Sequence, residues 1–134
     1  AFAAGDPEII SRLIEVRKHL GLMMPAPVQA AALAALMDDS HVAAQRDIYE
    51  ARRDVLRDAV TGAGLSIDHS DAGLYLWATR GEDCWATVNW FASLGIVVAP
   101  GSFYGSAGAH HVRIALTASD DRVAAAVSRL AKDR

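Results

Sequence analysis

The sequence predicts an α+β domain in which helices pack on one face of a small, mostly antiparallel mixed sheet. Two observations carry this reading. The apolar patterns run helix, helix, long helix, strand, strand, helix, strand, strand, helix, so a helical block precedes the strands instead of alternating with them. The 134 residues are 52% hydrophobic, enough for one ordinary domain with a core of its own.

The elements follow in order. Asp6-Pro7-Glu8 reads as a helix start, with Asp6 as N-cap, Pro7 at the first helical position and Glu8 favourable to the helix dipole. Ile9, Ile10, Leu13, Ile14 and Val16 then form a broad apolar face, and Gly21 stops the helix. Met23 to Pro27 reads as an extended connector, because a proline disfavours helix at the residue before it. Val28 to Met37 is helical by alanine and leucine propensity. The longest helix is expected from Ser40 to Thr61, ending at Gly62 and Gly64, with Ile48, Val55, Leu56, Ala59 and Val60 as its buried stripe. Its arginines interleave with carboxylates, and Glu50–Arg53 and Asp54–Arg57 are expected as exposed ion pairs.

Beyond Gly64 the period changes. Leu65 to His69 and Leu74 to Thr79 are strand candidates, joined by the turn residues Ser70 to Gly73. Glu82 to Leu94 is a helix with Trp85, Val88, Phe91 and Ala92 inward, ended by Gly95. Ile96-Val97-Val98 is expected as a short buried strand, Pro100 to Gly105 as a loop, and Val112 to Leu116 as a further strand. Ser119-Asp120-Asp121 caps a last helix with the stripe Val123, Val127, Leu130.

Composition excludes several classes. A formal charge of -3 with acidic and basic residues interspersed argues against a nucleic-acid partner and against a membrane-surface module. The uncharged run from Gly21 to Met37 contains Pro25, Pro27 and Gln29 and is too short and too rich in alanine for a membrane span. One cysteine, Cys84, makes no internal disulfide, which fits a cytoplasmic setting. The start of the sequence has no basic segment followed by an apolar one, so it does not read as a signal peptide. His110 and His111 are adjacent and would point to opposite faces of a strand, His19, His41 and His69 are scattered, and no metal-binding spacing is present.

Arg113 is the residue most suggestive of chemistry. Val112, Ile114 and Leu116 alternate onto one face of their strand, which turns Arg113 to the other. A permanent guanidinium in an apolar strand requires an anionic partner. That partner is either an internal Asp or Glu or the carboxylate of a ligand held by a bidentate fork. The glycine-rich loop Gly101 to Gly108 precedes it but fits no nucleotide-binding pattern; it reads as a tight turn with a glycine at positive φ. Physical reading alone leaves open a carboxylate-binding or regulatory module without catalysis, and a purely structural domain.

A longer pattern narrows the choice. Asp71-Ala72-Gly73-Leu74-Tyr75-Leu76-Trp77, then Gly95-Ile96-Val97-Val98-Ala99-Pro100-Gly101-Ser102-Phe103-Tyr104-Gly105, then Val112-Arg113-Ile114-Ala115-Leu116 resemble, in order and spacing, blocks of the class I/II pyridoxal-phosphate aminotransferases. Pro25-Ala26-Pro27-Val28-Gln29-Ala30-Ala31 is similar to the segment that follows the cofactor lysine in that family. The resemblance spans nearly the whole chain but only the C-terminal portion of such an enzyme. It implies a fold-type-I small domain over residues 40–134, preceded by the helical tail of the large cofactor-binding domain over residues 1–39. Arg113 would grip the substrate α-carboxylate, and Gly101 and Phe103 would line the cleft. Pyridoxal 5'-phosphate would be bound mainly by the N-terminal large domain of the same protein, since neither Lys18 nor Lys132 sits in the family's Ser-Lys motif. The resemblance further implies an amino-acid and 2-oxo-acid substrate pair, a homodimer, and an inactive chain when residues 1–134 stand alone. The run from Asp6 to Ala118 is most similar to the N-succinyldiaminopimelate aminotransferases of lysine biosynthesis, which use glutamate as donor.

Overall fold

The structure, a computed structural model, describes residues 2–132, which form two compact units divided between Val42 and Ala43. The first contains α1 (Pro7–His19) and α2 (Ala26–Leu36). Asp6 caps α1 as its residue type suggests, accepting from the backbone of Glu8 at 2.9 Å and of Ile9 at 3.2 Å. Gly21, at φ +68, lets Leu22 donate back to the Arg17 carbonyl at 2.8 Å and closes the helix. α2 begins two residues before the expected start at Val28. Pro25 is its N-cap, and Pro27 lies in the first turn, where a missing N–H forfeits no intrahelical bond.

The second unit follows α3 (Ser40–Gly62) with β1 (Ser66–Ile67), β2 (Tyr75–Thr79), α4 (Cys84–Ser93), β3 (Ala99–Pro100), β4 (His111–Ala115) and α5 (Asp120–Lys132). The element order is the one the sequence predicts. The sheet is antiparallel throughout, not mixed, in the order β1-β2-β4-β3, so the two longest strands lie side by side at its centre. Leu76, Ala78, Val112 and Ile114 point to the core face. Against them pack Leu56, Ala59 and Val60 of α3, Phe91 of α4, and Val123 and Leu130 of α5. Helices therefore cover one face of the sheet, and the opposite face carries the alternate side chains of β2 and β4.

Several expectations are corrected. Ile96-Val97-Val98 is not a strand: Gly95 (φ +69) ends α4, the Ile96 amide bonds back to the Phe91 carbonyl at 2.9 Å, and Val97 is 97% exposed. Only Ala99 and Pro100 reach β4, and Pro100 is tolerated because β3 is an edge strand. In α4 the inner positions are Cys84, Thr87 and Phe91, while Trp85 and Ala92 are exposed; Asp83 caps the helix through the Trp85 amide at 2.9 Å, which sets that phase. In α3, Ile48 and Val55 are exposed and Arg53 is buried instead. Arg53 therefore makes no pair with Glu50, whereas Asp54 and Arg57 do pair on the surface.

Candidate functional site

The sheet face turned away from the helices presents Tyr75 and Trp77 from β2 and His111 and Arg113 from β4. Antiparallel register sets Trp77 directly opposite Arg113 and Thr79 opposite His111. Residues of equal parity on two paired strands share a face, so the arrangement follows from the same alternation that buries Val112 and Ile114.

Arg113 is half-buried, and its guanidinium carbon sits 5.6 Å from the centre of the Tyr75 ring and 5.2 Å from that of Tyr104. Its Nε is buried without a hydrogen-bond partner, and among the described residues no Asp or Glu pairs with it. Of the two partners open from the sequence, the internal carboxylate is thus not realised among those residues. A guanidinium flanked by phenol rings keeps its charge while losing part of its water, and it is then receptive to an anion of matching fork geometry.

The aromatic surround is continuous. Tyr104 meets Trp77 edge-on at 5.8 Å and 78°, and His111 stacks on Trp77 at 5.3 Å and 9°. The His111 Nε2 lies 2.8 Å from Oδ2 of Asp68, in the segment after β1. His110 diverges as expected, its Nδ1 lying 3.1 Å from the Glu82 carbonyl oxygen.

The loop that delivers Tyr104 is two 3-10 turns, Gly101–Tyr104 and Ser106–Gly108. Gly105 takes φ +111, the positive φ that the glycine pattern foretold. Gly101 and Gly108 serve a different need, because a Cβ on either would drive into the other's backbone. Phe103, in the first of these turns, is 69% exposed and meets Trp85 edge-on at 5.7 Å, so it has its own aromatic partner. Cys84, buried at the start of α4, lies 3.5 Å from the Ser102 hydroxyl.

Arg53 supports the site from beneath. Buried in α3, it donates to the Ser70 hydroxyl at 2.7 Å, to the Ser70 carbonyl at 3.3 Å and to the Gly73 carbonyl. This ties the β1–β2 connection, which carries Asp68, to the helix layer. Sequence reasoning singled out Arg113, Gly101 and Phe103, with Tyr104 beside Phe103 as pocket lining or loop pin, and missed Tyr75, Trp77, His111 and Asp68 as neighbours of Arg113. Strand parity was the available signal for Trp77 and His111; nothing local pointed to Asp68.

The chain's own cations do not fit the covalent anchorage of pyridoxal phosphate. Lys18 lies on the surface of α1, 3.5 Å from Glu15, and Lys132 ends α5. Among the described residues no cluster of His, Cys, Asp or Glu is arranged for a metal, and no helix is long and apolar enough to cross a membrane.

Comparison with known proteins agrees with the sequence pattern. Residues 1–130 match the family model described as aminotransferase class I and II. The chain is 61% identical over 127 residues to the 4-dedimethylamino-4-oxo-anhydrotetracycline transaminase of Streptomyces rimosus, covering 95% of this chain and 35% of that protein. It is 60% identical over 129 residues to a Mycobacterium tuberculosis protein named as a probable aminotransferase, covering 96% of this chain and 31% of that one. The solved N-succinyldiaminopimelate aminotransferase of Mycobacterium tuberculosis superposes with a TM-score of 0.83 at 26% identity, over 98% of this chain and 37% of that structure. The chain thus spans about a third of the length of the curated relatives it matches. By sequence pattern, family match and fold, it belongs to the class I and II aminotransferases.

Proposed function

We propose that residues 1–134 are the C-terminal portion of a pyridoxal-phosphate-dependent aminotransferase, in which Arg113 holds the α-carboxylate of the amino-acid donor and of the 2-oxo acid formed from it. The observation that carries this reading is the guanidinium of Arg113, without an ion pair among the described residues and bracketed by Tyr75 and Tyr104 on an open sheet face. Residues 1–39 would complete the large domain and residues 40–134 form the small one, with Gly101 and Phe103 at the edge of the cleft. In support, α2 carries no charged residue, and none of its side chains is buried by the rest of this chain. A helix apolar all round belongs in a core.

The cofactor, when bound by the large domain, carries the amino group between the two substrates. The part of this chain is orientation. A bidentate fork on a rigid central strand fixes the carboxylate, and with it the Cα–H bond, in one geometry. The flanking rings restrict the approach of water to the ion pair, which strengthens it. The reaction proposed is transfer from glutamate to a 2-oxo acid, with N-succinyl-2-amino-6-oxopimelate as acceptor, in a reducing cytoplasmic setting and as a homodimer. The solved N-succinyldiaminopimelate enzyme supports that acceptor. A second acceptor class has its own support: the relative at 61% identity is named for a ring ketone of a tetracycline precursor.

One assay separates these outcomes. The full-length protein, loaded with pyridoxal phosphate, is supplied with glutamate and either the oxopimelate or a polycyclic ketone, and 2-oxoglutarate is measured. Arg113→Ala should lower kcat/KM for glutamate on the order of 100-fold, the loss of about 3 kcal/mol for a charged hydrogen-bonded pair, whichever acceptor is preferred. Retention of the wild-type value would remove Arg113 from the donor site.

A further inference from the structure

We propose that Asp68 and His111 form a positioning device for Arg113, acting through Trp77 and Tyr104. The inference rests on the reading of Arg113 as the carboxylate-binding group, and it concerns residues that do not themselves touch the substrate.

Asp68 fixes the ring. Its carboxylate lies 2.8 Å from Nε2 of His111, so that nitrogen donates to it, while Nδ1 is buried without a hydrogen-bond partner among the described residues. The ring so held is nearly parallel to Trp77. Trp77 is thereby in contact with two rings, stacked with His111 and edge-on to Tyr104. Tyr104 in turn forms one of the two walls around the Arg113 guanidinium, and Tyr75 forms the second.

With no carboxylate among the described residues to hold it, the guanidinium takes its orientation within this chain from those walls. Tyr104 sits on a loop and is about half exposed, so its edge-on contact with Trp77 ties it to the sheet. The sequence thus runs Asp68, His111, Trp77, Tyr104, Arg113, each neighbour linked by a hydrogen bond, a ring pair or a cation–π contact. Removing the His111 ring frees Trp77 on one side and lets the Tyr104 wall swing, which weakens carboxylate binding without altering the groups that react.

The test uses the full-length enzyme and two readouts: the steady-state constants for glutamate, and the affinity for glutarate, a dicarboxylate with no amino group to transfer, by titration calorimetry. His111→Ala should raise both the glutamate KM and the glutarate Kd about fivefold, the size of one lost ring pair, with kcat within about twofold. His111→Phe, which keeps a flat ring, should restore most of the affinity. Asp68→Ala should weaken glutarate binding about threefold beside His111 and have no added effect beside Phe at that position, a coupling that a merely structural role would not produce. If His111→Ala does not accumulate as folded protein, the Asp68→Ala comparison in the two backgrounds decides the question. Unchanged glutarate affinity in these variants, with Arg113→Ala still impaired, overturns the positioning role alone. Unchanged affinity in Arg113→Ala as well overturns the reading beneath it.

Discussion

Arg53 and Arg113 are two guanidinium groups removed from bulk water and satisfied in opposite ways. Arg53 is 6% exposed and has no carboxylate, yet it finds three acceptors in Ser70 and Gly73. Arg113 finds ring faces. The first arrangement is complete within the chain and reads as stability; the second leaves hydrogen-bonding capacity over and reads as binding. Arg53→Ala should therefore cost roughly 2–4 kcal/mol by urea unfolding, since it strips charged hydrogen bonds from the β1–β2 connection. The Arg113→Ala variant should unfold within about 1 kcal/mol of the parent, because the site, not the core, depends on it. A second position of this kind is Gly101. Gly101→Ala presses a methyl group against the Gly108 carbonyl, and backbone cannot yield as a side chain would. The loop should reopen, with a drop of several degrees in Tm and quenching of glutamate binding through displaced Tyr104. Alternation along a single strand made Arg113 visible from sequence. The sequence points Arg53 to a surface ion pair because its acceptors, two backbone carbonyls and the Ser70 hydroxyl, lie 17 and 20 residues away and leave no local signal.

Caps and breakers were the most readable features among the elements. Asp6, Gly21, Gly64 and Gly95 each act where their residue type places them, whereas Asp83, expected inside α4, caps it instead. Burial phase was less readable. Ile48 and Val55 satisfy a helical stripe by spacing, but the buried face of α3 is Arg53, Leu56, Ala59 and Val60; Ile48 lies before those turns and Val55 lies off that face. Ile96 to Val98 has strand composition, yet the turn that closes α4 uses its first amide and the partner strand is occupied only by Ala99 and Pro100. The start of α3 carries a dependence on acidity. The Asp38 carboxyl is held below its usual 3.8, first by the Ser40 hydroxyl and then by the Ser40 amide. A carboxyl depressed in the folded state stabilises fully above its unfolded value, and that contribution disappears as pH falls through the folded one. The first turn of α3 should thus be firm at neutral pH and loosen below pH 3.8. A fall in the protection factor of the Ser40 amide on acidification, absent from an Asp38→Ala variant that is poorly protected at every pH, would show it.

Across the whole chain, apolar surface divides unevenly between the two units. The buried cluster runs from Leu56 to Leu130 and lies entirely in the second, whereas in the first Ile9, Leu33 and Leu36 are all at least 60% exposed and no residue of α1 or α2 is buried. The uncharged, alanine-rich α2 has nothing in this chain to bury it, and a peptide of its length is marginal as an isolated helix in water. Folding of residues 43–134 should then owe little to residues 1–42. Expressed alone, residues 43–134 should unfold cooperatively, with a Tm within a few degrees of residues 1–134, because the core they contain is the same. The longer chain should bind an apolar dye such as anilinonaphthalene sulfonate far more strongly and associate at micromolar concentration, through the surfaces of α1 and α2. Equal dye binding by the two would mean that the exposed patches of the second unit, around Val97, Trp85 and Phe103, dominate instead. A non-cooperative transition in the shorter chain would mean that its core is incomplete without the helices before it, and that the boundary proposed near residue 40 cuts through one folding unit.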